Sequence, residues 1–141
     1  MKYVLDSSVA LKWVLPEPNS ARALRLRADF QAGLHEFLAP DVFPVEVGHA
    51  LTKAERRKTI SVGLAWIHAT DILSTSPQLL SYLPLFDRAI VISSAARIAV
   101  YDCLYVALAE REGCEFITAD DRLIRNLGQQ FPFIIALSSM P

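Results

Sequence analysis

Cysteine is scarce in this chain: Cys103 and Cys114 are the only two among 141 residues. Two thiols build no disulfide scaffold. The stretch between them reads as helix and would hold them roughly 16 Å apart, beyond disulfide reach. No Cys-x-x-Cys occurs, and His35, His49 and His68 are scattered without zinc spacing. A charge excess is missing as well. The net charge is −1, so any nucleic-acid binding has to come from local clustering of basic residues. No apolar run reaches the ~18 residues of a membrane helix. Asp6 cuts the first apolar run short, so no signal peptide is expected and the cytoplasm is the default location. Internal repeats, low-complexity segments and linkers are also absent, which implies one domain over residues 1–141.

What is present is a globular composition. Hydrophobic residues make up 52% of the chain and charged residues 21%, enough apolar material for a sizeable core. Lys2-Tyr3-Val4-Leu5 reads as a buried strand ending at Asp6-Ser7-Ser8. A helix over Val9–Leu15 should stop at Pro16 and Pro18, and a second, capped by Asn19 or Ser20, should stop at Gly33. Phe37-Leu38-Ala39 is a short strand. A third helix opens at Asp41 or Pro44 and runs to about Lys58 behind the stripe Phe43, Val47, Ala50, Leu51 and Ala54. Ser61 should cap a fourth helix through Leu73, and Leu79–Leu83 is an ambiguous strand. A fifth helix covers Phe86–Ile98, a sixth Asp102–Glu112 with Gly113 as its stop. Glu115–Thr118 is a strand, Asp120 or Thr118 caps a last helix to Leu127, and Phe133–Leu137 is the last strand. Short apolar strands alternating with helices predict an α/β fold, a parallel sheet covered on both faces.

Within this pattern the stretch Ala99–Ala109 stands out. All of its residues but Asp102 are apolar or aromatic. A helix apolar on nearly every side is buried, and an unpaired carboxylate inside it costs several kcal/mol or surrenders its charge. Asp102 therefore needs a partner. Few Lys or Arg stand at partnering positions, but three more acids have similar settings. Asp6 directly follows the first strand, and Asp120 lies two residues past Thr118. Sites in open parallel sheets gather beyond the carboxyl ends of the strands. Asp102 and Glu46 lie in the first turns of helices that begin near that same edge. Four carboxylates crowded together repel unless a divalent cation joins them, and an all-oxygen set selects Mg²⁺ or Mn²⁺ over zinc. The fitting substrate is a phosphodiester.

Each acid also has a plainer reading. Asp6 and Asp120 suit helix N-caps, Asp102 suits a helix dipole, and Glu46 suits the border of an apolar stripe. Lys53, Arg56, Arg57 and Lys58 form the densest basic cluster. They are candidates for guiding nucleic-acid phosphates, or equally a solvated helix end. Lys12 and Arg88 are similarly open. Trp13, Leu15, Trp66 and Ile67 read as core, or as the lining of a groove or interface. Tyr101 and Tyr105 read as packing residues.

Four segments then match a known family in its order: Tyr3–Trp13 around Asp6-Ser7-Ser8, Phe43-Pro44-Val45-Glu46-Val47, Tyr101–Glu110 around Asp102, and Phe116–Leu123 around Thr118-Ala119-Asp120. Together they span nearly the whole chain and resemble a PIN domain, more narrowly the VapC-type ribonuclease toxins of toxin–antitoxin pairs. The resemblance implies a three-layer α/β/α fold with a central parallel sheet of four to five strands. It implies that Asp6, Glu46, Asp102 and Asp120 form an acidic Mg²⁺/Mn²⁺ site, supported by Ser8 and Thr118. It further implies metal-dependent hydrolysis of RNA, with water attacking phosphorus in line and leaving 5′-phosphate and 3′-hydroxyl ends. Asp6, Asp102 and Asp120 would hold the metal, and Glu46 would hold a second ion or orient the water. The implied partners are RNA, a cognate VapB-like antitoxin and a second copy in a homodimer. Asp121 adjoins Asp120, which leaves room for a slip of one. Cys103 and His49 stand where small or amide residues are commoner in the family.

Three other readings compete. A catalytically silent PIN-like module would bind RNA or a partner without cutting, but the complete acid set argues against it. A phosphatase of the haloacid-dehalogenase type requires a second Asp two residues after the first, where this chain has Ser8. A receiver domain lacks its phospho-acceptor Asp and later Lys.

Overall fold

The computed structural model describes residues 1–141. Five strands, β1 (Lys2–Leu5), β2 (Glu36–Pro40), β3 (Gln78–Leu80), β4 (Glu115–Thr118) and β5 (Ile134–Ala136), form one wholly parallel sheet in the order β3-β2-β1-β4-β5. Seven helices connect them and complete a three-layer α/β/α sandwich: α1 (Ser7–Leu11), α2 (Ser20–Gln31), α3 (Phe43–Arg56), α4 (Leu64–Leu73), α5 (Phe86–Ala96), α6 (Val100–Glu112) and α7 (Asp121–Leu127). The strands are short and nearly all apolar because both faces of the sheet are covered. Val4, Leu5, Phe116 and Ile117 are all fully buried. No helix is long and apolar enough to cross a membrane.

The strand order decides where the site lies. From β1 the chain winds outward through β2 to β3, then returns through α5 and α6 to β4 on the other side of β1. The winding therefore reverses at β1, next to β4, and such a switch point opens a crevice at the carboxyl ends of the strands. The β1–β4 register pairs Tyr3 with Glu115, Val4 with Phe116 and Leu5 with Ile117. One step further along, Asp6 lies beside Thr118, and the Asp6 amide donates to the Ile117 carbonyl at 3.0 Å.

The α6 helix is the buried helix that its composition implies. Cys103 through Ala109 are all buried, and the helix packs on β1, β2 and β4 with α5 alongside. It begins at Val100, so Asp102 falls in its first turn. In α3, Phe43, Val47 and Leu51 are fully buried, as the apolar stripe predicts.

Several boundaries differ from the sequence reading. The first helix spans Ser7–Leu11 and not Val9–Leu15. Beyond it the backbone tightens into three-residue turns, which carry Trp13 into the core, where its indole N–H donates to the Ala23 carbonyl at 2.9 Å. Ser61 does not cap α4. The Glu55 carboxylate does so from the preceding helix, accepting from the Gly63 and Ala65 amides at 2.8 Å each. The fifth helix stops at Ala96 because Arg97 adopts the left-handed conformation, φ 56°. Of the four large apolar residues left open, Trp13 is buried, whereas Trp66 and Ile67 are 76% and 54% exposed, so those two are surface and not core.

Candidate active site

Asp6, Glu46, Asp102 and Asp120 line one cleft of about 530 Å³ at the switch point. They arrive there on four separate elements: the end of β1, the first turn of α3, the first turn of α6, and the junction of β4 with α7. None of the chain's six ion pairs involves any of these acids. No lysine or arginine lines the cleft.

Asp6 is held most tightly. It is 5% exposed. The Thr118 hydroxyl donates to its Oδ2 at 2.6 Å, and the Ser8 hydroxyl donates to the same oxygen at 2.8 Å. Each hydroxyl is itself aimed by a backbone amide: Ala119 N–H donates to Ser8 and Asp120 N–H to Thr118, both at 3.0 Å. The two supporting residues thus clamp β1 to the loop that carries Asp120. Although Asp6 stands at the N-cap of α1, its side chain makes no capping bond. Asp120 does cap. Its Oδ1 accepts from the Arg122 and Leu123 amides at 3.0 and 3.3 Å. Asp121, by contrast, lines a separate recess with Lys12 and not the cleft.

Burial and mutual repulsion make Asp6, Glu46 and Asp102 reluctant to ionise. Burial pushes Asp6 up, the Thr118 and Ser8 hydroxyls pull it back, and the charge of Asp120 adds to the rise. Glu46 is raised to about 7, chiefly by burial, against the bond from Tyr105 and with the charges of Asp6 and Asp102. Asp102 is also raised to about 7 by burial and by Asp6 and Asp120, with Arg122 opposing. Raised carboxyls that face one another in a cleft make this crevice the candidate functional site of the fold.

Asp6, Glu46, Asp102 and Asp120 are the residues that could hold a cation. Their donors are all oxygen, which suits a hard divalent ion. No three His, Cys, Asp or Glu side chains converge tightly enough to chelate one ion by themselves.

Three residues at the site were not assigned there from sequence. Tyr105, read as packing, donates its phenolic hydrogen to Glu46 Oε1 at 2.6 Å. The signal was present, since Tyr105 lies three residues after Asp102 on the same helix face. Tyr101 and His49, both exposed, line the cleft beside Asp102 and Glu46. Cys103 is buried behind Asp102, and burial pushes its thiol up to about 11, so it is an inert packing residue. Lys53, Arg56 and Arg57 are exposed, form no ion pair and do not line the cleft. At helical spacing Lys53 and Arg57 follow Glu46 along one face of α3, about 10 and 16 Å further on.

A parallel sheet with an acidic crevice at its switch point matches a described class. The family model of the PIN domain covers residues 3–128, and the chain belongs to that family. Within it the chain is of the VapC type. It is 36% identical over 126 residues to Ribonuclease VapC12 of Mycobacterium tuberculosis, covering 89% of this chain and 92% of that protein. It is 30% identical over 141 residues to Ribonuclease VapC3 of Pyrobaculum aerophilum, covering 96% and 98% of the two chains. The crystal structure of PAE2754 from Pyrobaculum aerophilum shares the fold, with a TM-score of 0.71 over 99% of this chain and 94% of that one at 21% identity.

Proposed function

We propose that the chain is a Mg²⁺- or Mn²⁺-dependent endoribonuclease, the toxin of a toxin–antitoxin pair. The observation that carries this reading is the gathering of Asp6, Glu46, Asp102 and Asp120 in one cleft that no lysine or arginine lines, Arg122 meeting Asp102 and Asp120 in a separate smaller recess without pairing with either. Relatives named as ribonucleases support the choice of RNA as substrate. Asp6, Asp102 and Asp120 would hold the ion, directly or through its waters, with Ser8 and Thr118 keeping Asp6 in place. When bound, the ion neutralises the cluster, draws in the phosphate oxygens and acidifies water for attack on phosphorus. Glu46 orients that water or takes its proton, a role suited to a carboxyl raised to about 7. Lys53 and Arg57, with Arg56 beside them, extend from Glu46 as a path for the flanking phosphates of the strand.

The partners follow from the same reading. The exposed apolar residues Val62, Trp66 and Ile67 near and on α4, and Phe86, Ile90 and Val91 on α5, offer surface to a VapB-like antitoxin and to a second copy of the chain. The test is RNA cleavage by purified protein in Mg²⁺, in EDTA, and after Asp6→Asn or Asp102→Asn. Cleavage should fall at least about a hundredfold in each of the last three conditions. Cleavage that persists in EDTA, or in both variants, rejects the mechanism. RNA binding without cleavage in Mg²⁺ would favour the silent-module reading.

A further inference from the structure

The acids are held in place to different degrees. Asp6 has two hydroxyl donors and Asp120 has two backbone amides. Glu46 has a longer, more flexible side chain and reaches into the cleft from α3, so it loses more freedom when it is fixed. Its one hydrogen-bond donor is the Tyr105 phenol, on the far side of the site from its own helix.

Tyr105 is well suited to hold something still. It is fully buried on α6, and its ring stacks on Phe116 of β4 with centroids 5.6 Å apart and an 18° interplanar angle. The hydroxyl position is therefore set by the packing of the sheet and not by the surface. Asp102 lies three residues before Tyr105, so one face of α6 carries an acid of the cluster and the donor that fixes another acid.

We infer that Tyr105 is a positioning residue of this site: its hydroxyl pins Glu46 Oε1 and leaves Oε2 to serve the cation or its water. This rests on the reading of Glu46 given above. The hydroxyl acts through Glu46 alone, so its contribution vanishes once Glu46 no longer needs to be held.

Tyr105→Phe keeps the ring and removes the hydroxyl. The experiment measures Mn²⁺ binding by the paramagnetic resonance of free Mn²⁺, together with kcat and KM for RNA cleavage. The variants are Tyr105→Phe, Glu46→Gln and the double substitution. Tyr105→Phe should fold with an almost unchanged melting temperature, bind Mn²⁺ several-fold more weakly and lose roughly tenfold in kcat at unchanged KM. The double variant should be no worse than Glu46→Gln alone. Glu46→Asp, which shortens the reach to the phenol without touching the core, should also become insensitive to Tyr105→Phe. Wild-type values in Tyr105→Phe would overturn the assignment, and so would a full extra loss in the Glu46→Gln background or failure of Tyr105→Phe to fold. A wild-type protein that binds Mn²⁺ but leaves RNA intact defeats the nuclease reading, and the Mn²⁺ measurements then decide the role of Tyr105 by themselves.

Discussion

At the scale of single residues, the hydroxyl pair on Asp6 is the most constrained part of the site. Thr118 is fully buried, donates to Asp6 and accepts from the Asp120 amide. Thr118→Val keeps the shape, strands the Asp120 amide and leaves Asp6 with Ser8 as its one hydroxyl donor. It should cost about 1–3 kcal/mol in denaturant unfolding near neutral pH, the range for an unsatisfied buried group. It should also reduce RNA cleavage at least about tenfold. A neutral result would make the hydroxyl incidental. Asp6 was legible as an acid at the end of an apolar strand, although a helix N-cap explained it equally well, and Ser8 and Thr118 were legible through the resemblance to the PIN family. Tyr105 was not legible in the same way. A tyrosine in an apolar helix is ordinarily core, and only the position of Glu46, 59 residues earlier in the chain, gives its hydroxyl a purpose.

At the scale of elements, the apolar runs placed every helix and every strand but β3, and most of what they missed was set from a distance. The stripe in α3 and the all-apolar α6 were visible from composition alone. The start of α4 was not, since its cap is the Glu55 side chain of the preceding helix. A cap of that kind depends on how the chain reverses between α3 and α4. It leaves no mark on the residues next to the helix. Glu55→Ala should lower stability by about 1 kcal/mol, as removal of a cap does, and leave RNA cleavage unaffected. Thermal unfolding and a cleavage assay on the same preparation check both halves. A loss of cleavage at unchanged stability would tie Glu55 to the substrate path instead. The short β3 was ambiguous from sequence for a related reason. Three residues at the edge of a sheet carry too little pattern to distinguish a strand from a turn.

At the scale of the whole molecule, the site opposes the stability of the fold that builds it. Glu46 and Asp102 titrate near 7 in the folded chain, against 4.5 and 3.8 for the free groups. Between about pH 4 and 7 the folded state therefore holds protons that the unfolded chain has released. By linkage, stability falls as pH rises through that window and levels off above it. Without divalent ions the melting temperature should be higher at pH 5.5 than at pH 8. Millimolar Mg²⁺ should raise it at pH 8 and hardly at all at pH 5.5, because only the ionised cluster takes the ion. Asp102→Asn should raise the melting temperature of the ion-free protein at pH 8 by a few degrees while it abolishes cleavage. A calorimetric series across pH, with and without Mg²⁺, reads all of this. A melting temperature that climbs steadily toward pH 8 in EDTA would contradict the proposed electrostatics.

The bond between Thr118 and Asp6 spans 112 residues. During synthesis the first acid emerges from the ribosome long before the hydroxyl that secures it. It has to wait while β2, β3 and six helices follow. A growing polypeptide of this design cannot assemble its acidic cleft early. On the function proposed above, fragments that stop short of Thr118 would leave RNA intact, and a newly made copy could cut only once β4 had joined the sheet.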